Sequence, residues 1–302
     1  MRVLLTGASG FLGSYFYSFL CKMNAEVVRV GRDKTNEVQA DLAVTVPALH
    51  GRFDWVIHAA GKAHSVPKTD AEAAIFDQVN RLGTEHLCQA LQHHLAPHAR
   101  FLFISTVAVY GCDEGEAIAE DAPLQGYSAY AVSKIDAEKF LHDWCQQAMV
   151  RLCIFRLPLV VGRQAPGNLG DMLAAVKAGK YRNVGTGDAR KSMVLATDVA
   201  AAIPAAMEAG GVFNLTDGHH PSFAALSGAI AQALQRPLPG TIPLWLAAVL
   251  AKLGDLAGPR FPINTMRLQK LTAHLTFDDS KARAAFGWLP RPVLSEAAEW
   301  VL

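Results

Sequence analysis

Met1-Arg-Val-Leu-Leu-Thr-Gly7-Ala-Ser-Gly10-Phe-Leu-Gly13 opens the chain, and how these residues are read decides the fold. Residues 2–6 are a short apolar run ending at a glycine-rich turn. Beyond it the apolar positions Phe11, Leu12, Tyr15, Phe16, Phe19 and Leu20 recur at helical spacing. Strand, turn and helix in that order aim free backbone N–H groups and the positive end of a helix dipole at one point, where an anionic pyrophosphate fits. Gly7 would permit the tight turn, Gly10 the close approach of a ligand, and Gly13 the packing of helix on strand. Ser9, Phe11 and Leu12 are the other residues of this turn within reach of a bound nucleotide. The spacing is G-x-x-G-x-x-G rather than G-x-G-x-x-G, so the turn alone does not separate a nucleotide site from a plain strand-to-helix connection.

Strands and helices alternate downstream. Glu26-Val-Val-Arg-Val-Gly31-Arg32 reads as a second strand rich in β-branched residues. Where a ribose-binding acid would close such a strand in an NAD site, Gly31 and Arg32 stand instead, with Asp33 next. A small residue and a guanidinium leave room and charge for a 2′-phosphate, which tilts the coenzyme to NADP over NAD. Asp41, followed by Leu42, could accept from an adenine amino group. A third strand, Phe53 to Ala59, runs into the small residues Ala59, Ala60 and Gly61, where a dinucleotide could lie close. A long helix is expected from Asp70 to His93 with Asn80 in its middle, then a buried strand over residues 101–106 and a polar loop from Gly111 to Gly126. The helix that follows places Tyr130 and Lys134 on one face, one turn apart. A strand over residues 150–157 completes the pattern. These elements predict an α/β fold, a doubly wound parallel sheet with right-handed crossovers, over residues 1–165. Residues 166–302 form a smaller, mostly helical part, with residues 190–216 returning to the first.

Composition narrows the function classes. With 51% hydrophobic and 18% charged residues in 302, the chain is globular, and a net charge of +1 offers no electrostatic case for nucleic acid or a membrane surface. Five cysteines without a C-x-x-C pair read as thiols of a reducing compartment. A first strand starting at residue 2 leaves no room for a signal peptide, so a cytoplasmic location is expected. Ile242–Leu256 is apolar but too short and too interrupted to span a bilayer; a helix buried between elements, or a cap over a site, is expected. His93, His94, His98, His219 and His220 match no metal-ligand spacing, and no metal is expected.

Three features now stand in order: Thr-Gly-Ala-Ser-Gly-Phe-Leu-Gly at the start, Ile104-Ser-Thr106-Val-Ala-Val-Tyr110-Gly111, and Tyr130-x-x-x-Lys134. Together with Asn80, Arg156-Leu-Pro-Leu-Val-Val-Gly162, Asn168-Leu169, Asp198-Val-Ala and Phe-Asp-Asp-Ser-Lys-Ala-Arg near the end, this set resembles the extended short-chain dehydrogenase/reductase superfamily, and within it the NAD-dependent nucleotide-sugar epimerase/dehydratase group. The resemblance implies a Rossmann sheet with a C-terminal substrate domain and a catalytic trio. Tyr130 is the implied acid/base. Lys134 tunes it and holds the nicotinamide ribose, and Thr106, rather than Ser105, orients the reacting oxygen. A phenol of pKa ~10 is a poor base at neutral pH unless a neighbouring ammonium stabilises its anion.

Where the sugar 4,6-dehydratases of this group carry Asp-Glu after the matching threonine, this chain has Val107 and Ala108, which cannot move protons, so dehydration is excluded. The substrate half is similar to bacterial reductases of UDP-4-keto-6-deoxy-N-acetylhexosamines. That likeness implies Asn168, Lys191 or Arg190, and Arg267 as contacts to diphosphate or uridine. A UDP-hexose 4-epimerase with tightly bound NAD is the alternative within the fold. A reductase of a steroid-like carbonyl and a non-catalytic NADP sensor are further ones. A homodimer is also implied, through the helix around Asn80 and the helix of Tyr130, with Leu82, Leu87, Phe140 and Trp144 as seam candidates.

Overall fold

The first strand, β1 (Arg2–Thr6), ends at Gly7, and α1 (Phe11–Lys22) carries the chain back to β2 (Glu26–Gly31). This is a computed structural model, described for residues 1–63, 65–257 and 264–302. A two-residue β3 (Val38–Gln39) and β4 (Phe53–His58) follow, then α2 (Asp70–Asp77), α3 (Gly83–Leu91) and β5 (Leu95–Thr106). After β6 (Gly115–Ile118) come α4 (Ala129–Gln147), β7 (Arg151–Leu157), β8 (Leu159–Val161), α5 (Gly167–Lys177), β9 (Arg182–Val184) and β10 (Met193–Leu195). The remainder comprises α6 (Ala196–Ala209), β11 (Gly211–Asn214), α7 (Phe223–Ala233), β12 (Gly240–Ile242), α8 (Leu244–Ala257), α9 (Thr265–Thr272), β13 (Leu275–Phe277), α10 (Ser280–Phe286) and α11 (Ala297–Val301).

Seven strands form one parallel sheet in the order β11-β7-β5-β4-β1-β2-β3. Central strands buried on both faces read as continuous apolar runs, as Val3-Leu4-Leu5 and Phe101-Leu102-Phe103 do here. One face is covered by α1 and α6 through Phe16, Leu20, Val199, Ile203 and Met207. The other is covered by α3 and α4 through Leu87, Cys88, Leu91, Ala137 and Leu141. The strand order reverses between β1 and β4, and ligands of open α/β sheets bind beyond the strand ends at such a switch point. The doubly wound α/β sheet expected from the alternation is therefore present. A further apolar cluster joins α5, α7 and α11 around Leu169, Leu226, Ile230 and Trp300.

Several local expectations are corrected. The helix expected over residues 70–93 is interrupted by a π turn at Gln78–Leu82, between α2 and α3. Asn80 in that turn bonds the backbone of Lys62 on both sides of its amide, and the extra residue turns it inward to do so. The strand expected over 101–106 begins at Leu95, because Phe53 pairs with Leu95 before the register jumps to Trp55 opposite Arg100. The loop expected over 111–126 contains β6, which pairs with the distant β13, and in the part expected to be mostly helical β9 pairs with β12. Ile242–Leu256 is not buried between elements: the helix α8 seats only small residues such as Ala247 and Ala251, while Trp245 is 69% exposed and Leu256 87%. Leu87 lies wholly inside the core of its own chain and cannot form a seam with a second copy.

Candidate functional site

The glycine turn is built by close contact rather than by side chains. Gly7 has φ +73°, and a Cβ there would lie 2.6 Å from Ala60 N and 2.8 Å from Ala59 O. One at Gly13 would lie 2.0 Å from Gly7 O, so helix and turn touch backbone to backbone. Gly10 N donates to Gly7 O at 2.9 Å, and no side chain caps the start of α1. A helix N-terminus with no side chain closing it, walled by three glycines at the switch point, fits the phosphates of a dinucleotide.

Beneath the turn, Thr6 Oγ1 accepts from Ala60 N at 3.1 Å and lies 2.6 Å from His58 Nδ1. On the far side of the ring, His58 Nε2 is 2.9 Å from Thr84 Oγ1, whose own proton goes to Asn80 O. That directionality makes Nε2 the protonated nitrogen and Nδ1 the acceptor for the Thr6 hydroxyl. Burial, with a smaller push from Lys134, holds His58 down to about 3, so it is a neutral strut between β1, β4 and α3. Nothing in the sequence pattern pointed to this residue beyond its position at the end of β4.

Lys134, Asn80 and Gly61 come together on the same side of the sheet: a Cβ at Gly61 would meet Asn80 Oδ1 at 3.0 Å and Lys134 Nζ at 3.3 Å. Asn80 Nδ2 also donates to Ser133 Oγ at 2.9 Å, tying the π turn to α4. Ser128, two residues before Tyr130, caps α4 by accepting from Ala131 N at 3.1 Å. Lys134 Nζ donates to Ile104 O at 2.8 Å and sits 4.5 Å from the centre of the Phe103 ring. Its burial lowers it to about 8 against a smaller opposing effect of Glu138. Burial raises the Tyr130 phenol to about 12, with the nearby Thr106 hydroxyl acting the other way. Thr106 Oγ1 also accepts from Ala108 N at 3.2 Å at the start of a 3-10 turn, Val107–Tyr110. Ser105 is turned away from Tyr130 and donates to Glu138 instead. So Thr106, Tyr130, Lys134, Asn80 and Gly61 form one cluster, a phenol and an amine each desolvated beside a strand end.

The peripheral residues are placed as follows. Arg32 is exposed just past β2, and Asp33 Oδ1 accepts from Thr35 N at 2.9 Å within its own turn. Asp41 is exposed and caps a turn at Ala43 N, 3.1 Å away, while Leu42 is buried and accepts from His86 through its carbonyl. Asn168 is exposed in the first turn of α5. Arg190 is exposed, and Lys191 is half-buried, its ammonium disfavoured by burial and by Lys270 and favoured by Asp113. Lys270 bridges to Asp113 at 3.0 Å and donates to Tyr127 Oη at 3.3 Å, so α9, which also carries Arg267, meets the loop before α4. Lys270, Asp113 and Tyr127 had no sequence signal, since the loop and α9 are brought together only by tertiary folding. All five cysteines are free thiols. Among the described residues no group of three or more His, Cys, Asp or Glu could hold a metal ion, and no helix is long and apolar enough to cross a membrane.

Residues 3–216 match the profile of the NAD dependent epimerase/dehydratase family. The chain belongs to that family. A UDP-glucose 4-epimerase of Vibrio cholerae is 26% identical over 319 residues, covering 97% of this chain and 92% of the relative. An N-acetyl-alpha-D-glucosaminyl-diphospho-ditrans,octacis-undecaprenol 4-epimerase of Escherichia coli O157:H7 is 26% identical over 335 residues, covering all of this chain and 94% of that one. Among solved structures, the Thermus thermophilus UDP-glucose 4-epimerase in complex with NAD superposes with a TM-score of 0.75 at 23% identity, over 100% of this chain and 98% of that one, which shows the shared fold. The chain is thus an extended short-chain dehydrogenase/reductase, an enzyme family that works with a nicotinamide dinucleotide.

Proposed function

We propose that this enzyme is an oxidoreductase acting at C4 of a nucleotide-diphospho sugar, reducing a 4-keto group, with Tyr130 as proton donor and acceptor. The observation that carries this reading is the approach of Asn80 and Lys134 to Gly61, beside the glycine turn at the switch point, with Tyr130 one turn before Lys134 on α4 and next to Thr106. When bound along Gly7, Ser9, Gly10, Phe11, Leu12 and Gly13, and past Ala59, Ala60 and Gly61, the dinucleotide supplies the hydride.

The residues of the chain supply the rest. A phenol raised to about 12 holds its proton at neutral pH, which suits it to protonate the oxygen of a carbonyl that is being reduced. Thr106, whose hydroxyl acts on the Tyr130 phenol, would share that oxygen and stabilise the phenolate left behind. Lys134, at about 8, is still largely protonated at neutral pH and lies on the next turn of α4, where its charge lowers the cost of that phenolate. Asn80 fixes the loop at Lys62 and so the wall of small residues beside the site. Val107 and Ala108 bring no second acid or base, which favours simple reduction over elimination of water.

Coenzyme and substrate preferences follow from the periphery. Asp33 is occupied within its own turn while Arg32 is exposed beside Gly31, an arrangement that favours NADP over NAD. Asp41 and Leu42 would border the adenine. Residues 166–302 would form the substrate-binding half, with Asn168, Arg190, Lys191 and Arg267 toward the diphosphate of a UDP-4-keto-6-deoxy-N-acetylhexosamine. The end-to-end match to the Vibrio cholerae enzyme favours a second reading, a UDP-hexose 4-epimerase that retains NAD. A thermal-shift panel crossing NAD, NADP, UDP and dTDP tests both. Additive stabilisation by NADP and UDP supports the reductase, and protein purified with stoichiometric NAD supports the epimerase. Protein that carries no dinucleotide on purification and is stabilised by none would overturn both.

A further inference from the structure

Three consecutive residues of β5 face three consecutive turns of α4. Ile104 O accepts from Lys134 Nζ, Ser105 Oγ donates to Glu138, and Thr106 lies near enough to Tyr130 to lower its phenol. Two of these turns carry the reacting groups assigned above, and Glu138 on the third is unexplained by that chemistry. It is 5% exposed, and its carboxylate is met from β7 by Arg156, with Nη2 to Oε2 at 2.7 Å and Nε to both oxygens at 3.2 and 3.3 Å. Arg156 stands directly opposite Ser105 in the sheet register, so two adjacent strands clamp one carboxylate.

The clamp continues outward. Arg156 Nη1 donates to Tyr110 Oη at 3.1 Å and to Glu120 O at 3.0 Å. Tyr110 Oη donates to Asn214 Oδ1 at 2.8 Å, and Asn214 Nδ2 reaches Ile118 O and Asp278 O. All three nitrogens of the Arg156 guanidinium group are thus engaged. A buried ion pair of this kind is weak evidence for stability, since two apolar residues of similar volume fill such a space as well or better. Its position one helical turn beyond Lys134 gives it another use.

We propose that Glu138 is a positioning residue for the site, a fixed counter-ion whose carboxylate, locked by Arg156 and Ser105, keeps the Lys134 ammonium protonated and in register beneath Tyr130. The proposal rests on the oxidoreductase reading for its consequence in turnover but not for its electrostatics. The titratable groups facing Lys134 are Tyr130 and Glu138 on its own helix and His58 from β4, and His58 is held neutral by burial. Facing Glu138 are Arg156 from β7 and, through it, Tyr110. Glu138 is the one carboxylate in this set, and it opposes the desolvation that drives Lys134 towards its neutral form. Tyr130 lies two turns from Glu138, so the carboxylate acts on the phenol chiefly through the lysine.

The test follows the Lys134 amine directly, by side-chain NMR of isotope-labelled lysine in the full chain, with the signal assigned from its loss in Lys134→Arg. In Glu138→Gln the titration midpoint of Lys134 falls by about one pH unit, and Glu138→Asp recovers most of the shift. Once turnover on a UDP-sugar is established for the wild type and abolished by Tyr130→Phe, Glu138→Gln loses about twofold in kcat at about pH 7 and roughly tenfold by about pH 9, with KM for the coenzyme within about threefold. Should Glu138→Gln fail to fold because Arg156 is left unpaired, Glu138→Gln/Arg156→Gln removes both charges, and a smaller fall in the same direction is expected, since the guanidinium that opposes the carboxylate is gone as well. A folded variant of either kind whose Lys134 titrates as in the wild type overturns the proposal. Absence of sugar turnover in the wild type would count against the oxidoreductase reading and leave the NMR result to decide this one.

Discussion

Two glycines three residues apart answer to different physics, and alanine at each separates fold from ligand. At Gly13 a methyl group would lie 2.0 Å from Gly7 O and 2.7 Å from Gly7 C, well inside van der Waals contact, so the turn or α1 must move by more than about 1 Å. Alanine gains roughly 1 kcal/mol over glycine inside a helix, whereas overpacking against backbone costs roughly 1–3 kcal/mol, or more where nothing flexible can yield. The net is a destabilisation of roughly 1–2 kcal/mol, a fall in Tm of about 4 °C in a chain of this size. At Gly10 the new Cβ meets only Gly7 O, at 3.1 Å, which a few tenths of an ångström relieve. Gly10→Ala should therefore melt within about 2 °C of the wild type without ligand. The methyl group would nonetheless occupy the approach to the helix N-terminus. Saturating dinucleotide at about 100 times its Kd stabilises the wild type by about 2.7 kcal/mol, and both variants should lose that increment. Differential scanning fluorimetry with and without NADP reads all four quantities. Gly13→Ala with an unchanged Tm, or Gly10→Ala with a full NADP-induced shift, would refute the close-packed cradle.

Other outcomes follow from the same geometry. Tyr130→Phe should lower kcat by about 10²–10⁴-fold while the dinucleotide-induced thermal shift stays, as measured by steady-state kinetics beside fluorimetry. Arg32→Ser should weaken NADP by about tenfold and leave NAD unchanged in isothermal titration; equal loss for both would show that Arg32 does not meet a 2′-phosphate. His58 titrates at about 3 when folded against ~6.5 unfolded, so below pH ~6.5 the unfolded chain takes up the proton first. Stability should hold above that pH and decline towards pH 3 by up to about 1.4 kcal/mol per unit, a slope that urea melts would find flattened in His58→Asn.

The sequence discloses what is encoded locally. The β1 run, the glycine turn and the 3.6-residue pattern of α1 lie within about twenty residues, and Gly7 and Gly13 are required by backbone contacts inside or next to that turn. Tyr130 and Lys134 share a helix face by spacing alone. What the sequence conceals is set by partners far along the chain. The π turn exists because Asn80 reaches the Lys62 backbone and Ser133, and β6 is a strand because β13 meets it, with Ala117 N bonded to Thr276 Oγ1 across 159 residues. The apolar run of α8 misleads for a different reason: periodicity counts large side chains, whereas the stripe that packs is made of alanine. Glu138 shows the limit most clearly. Its place one turn after Lys134 is visible in the sequence, yet an i, i+4 Lys–Glu pair on a helix ordinarily means a solvated surface contact. Only the strand register, which sets Arg156 beside Ser105 underneath it, removes the water and turns Glu138 into a buried charge held one helical turn from Lys134.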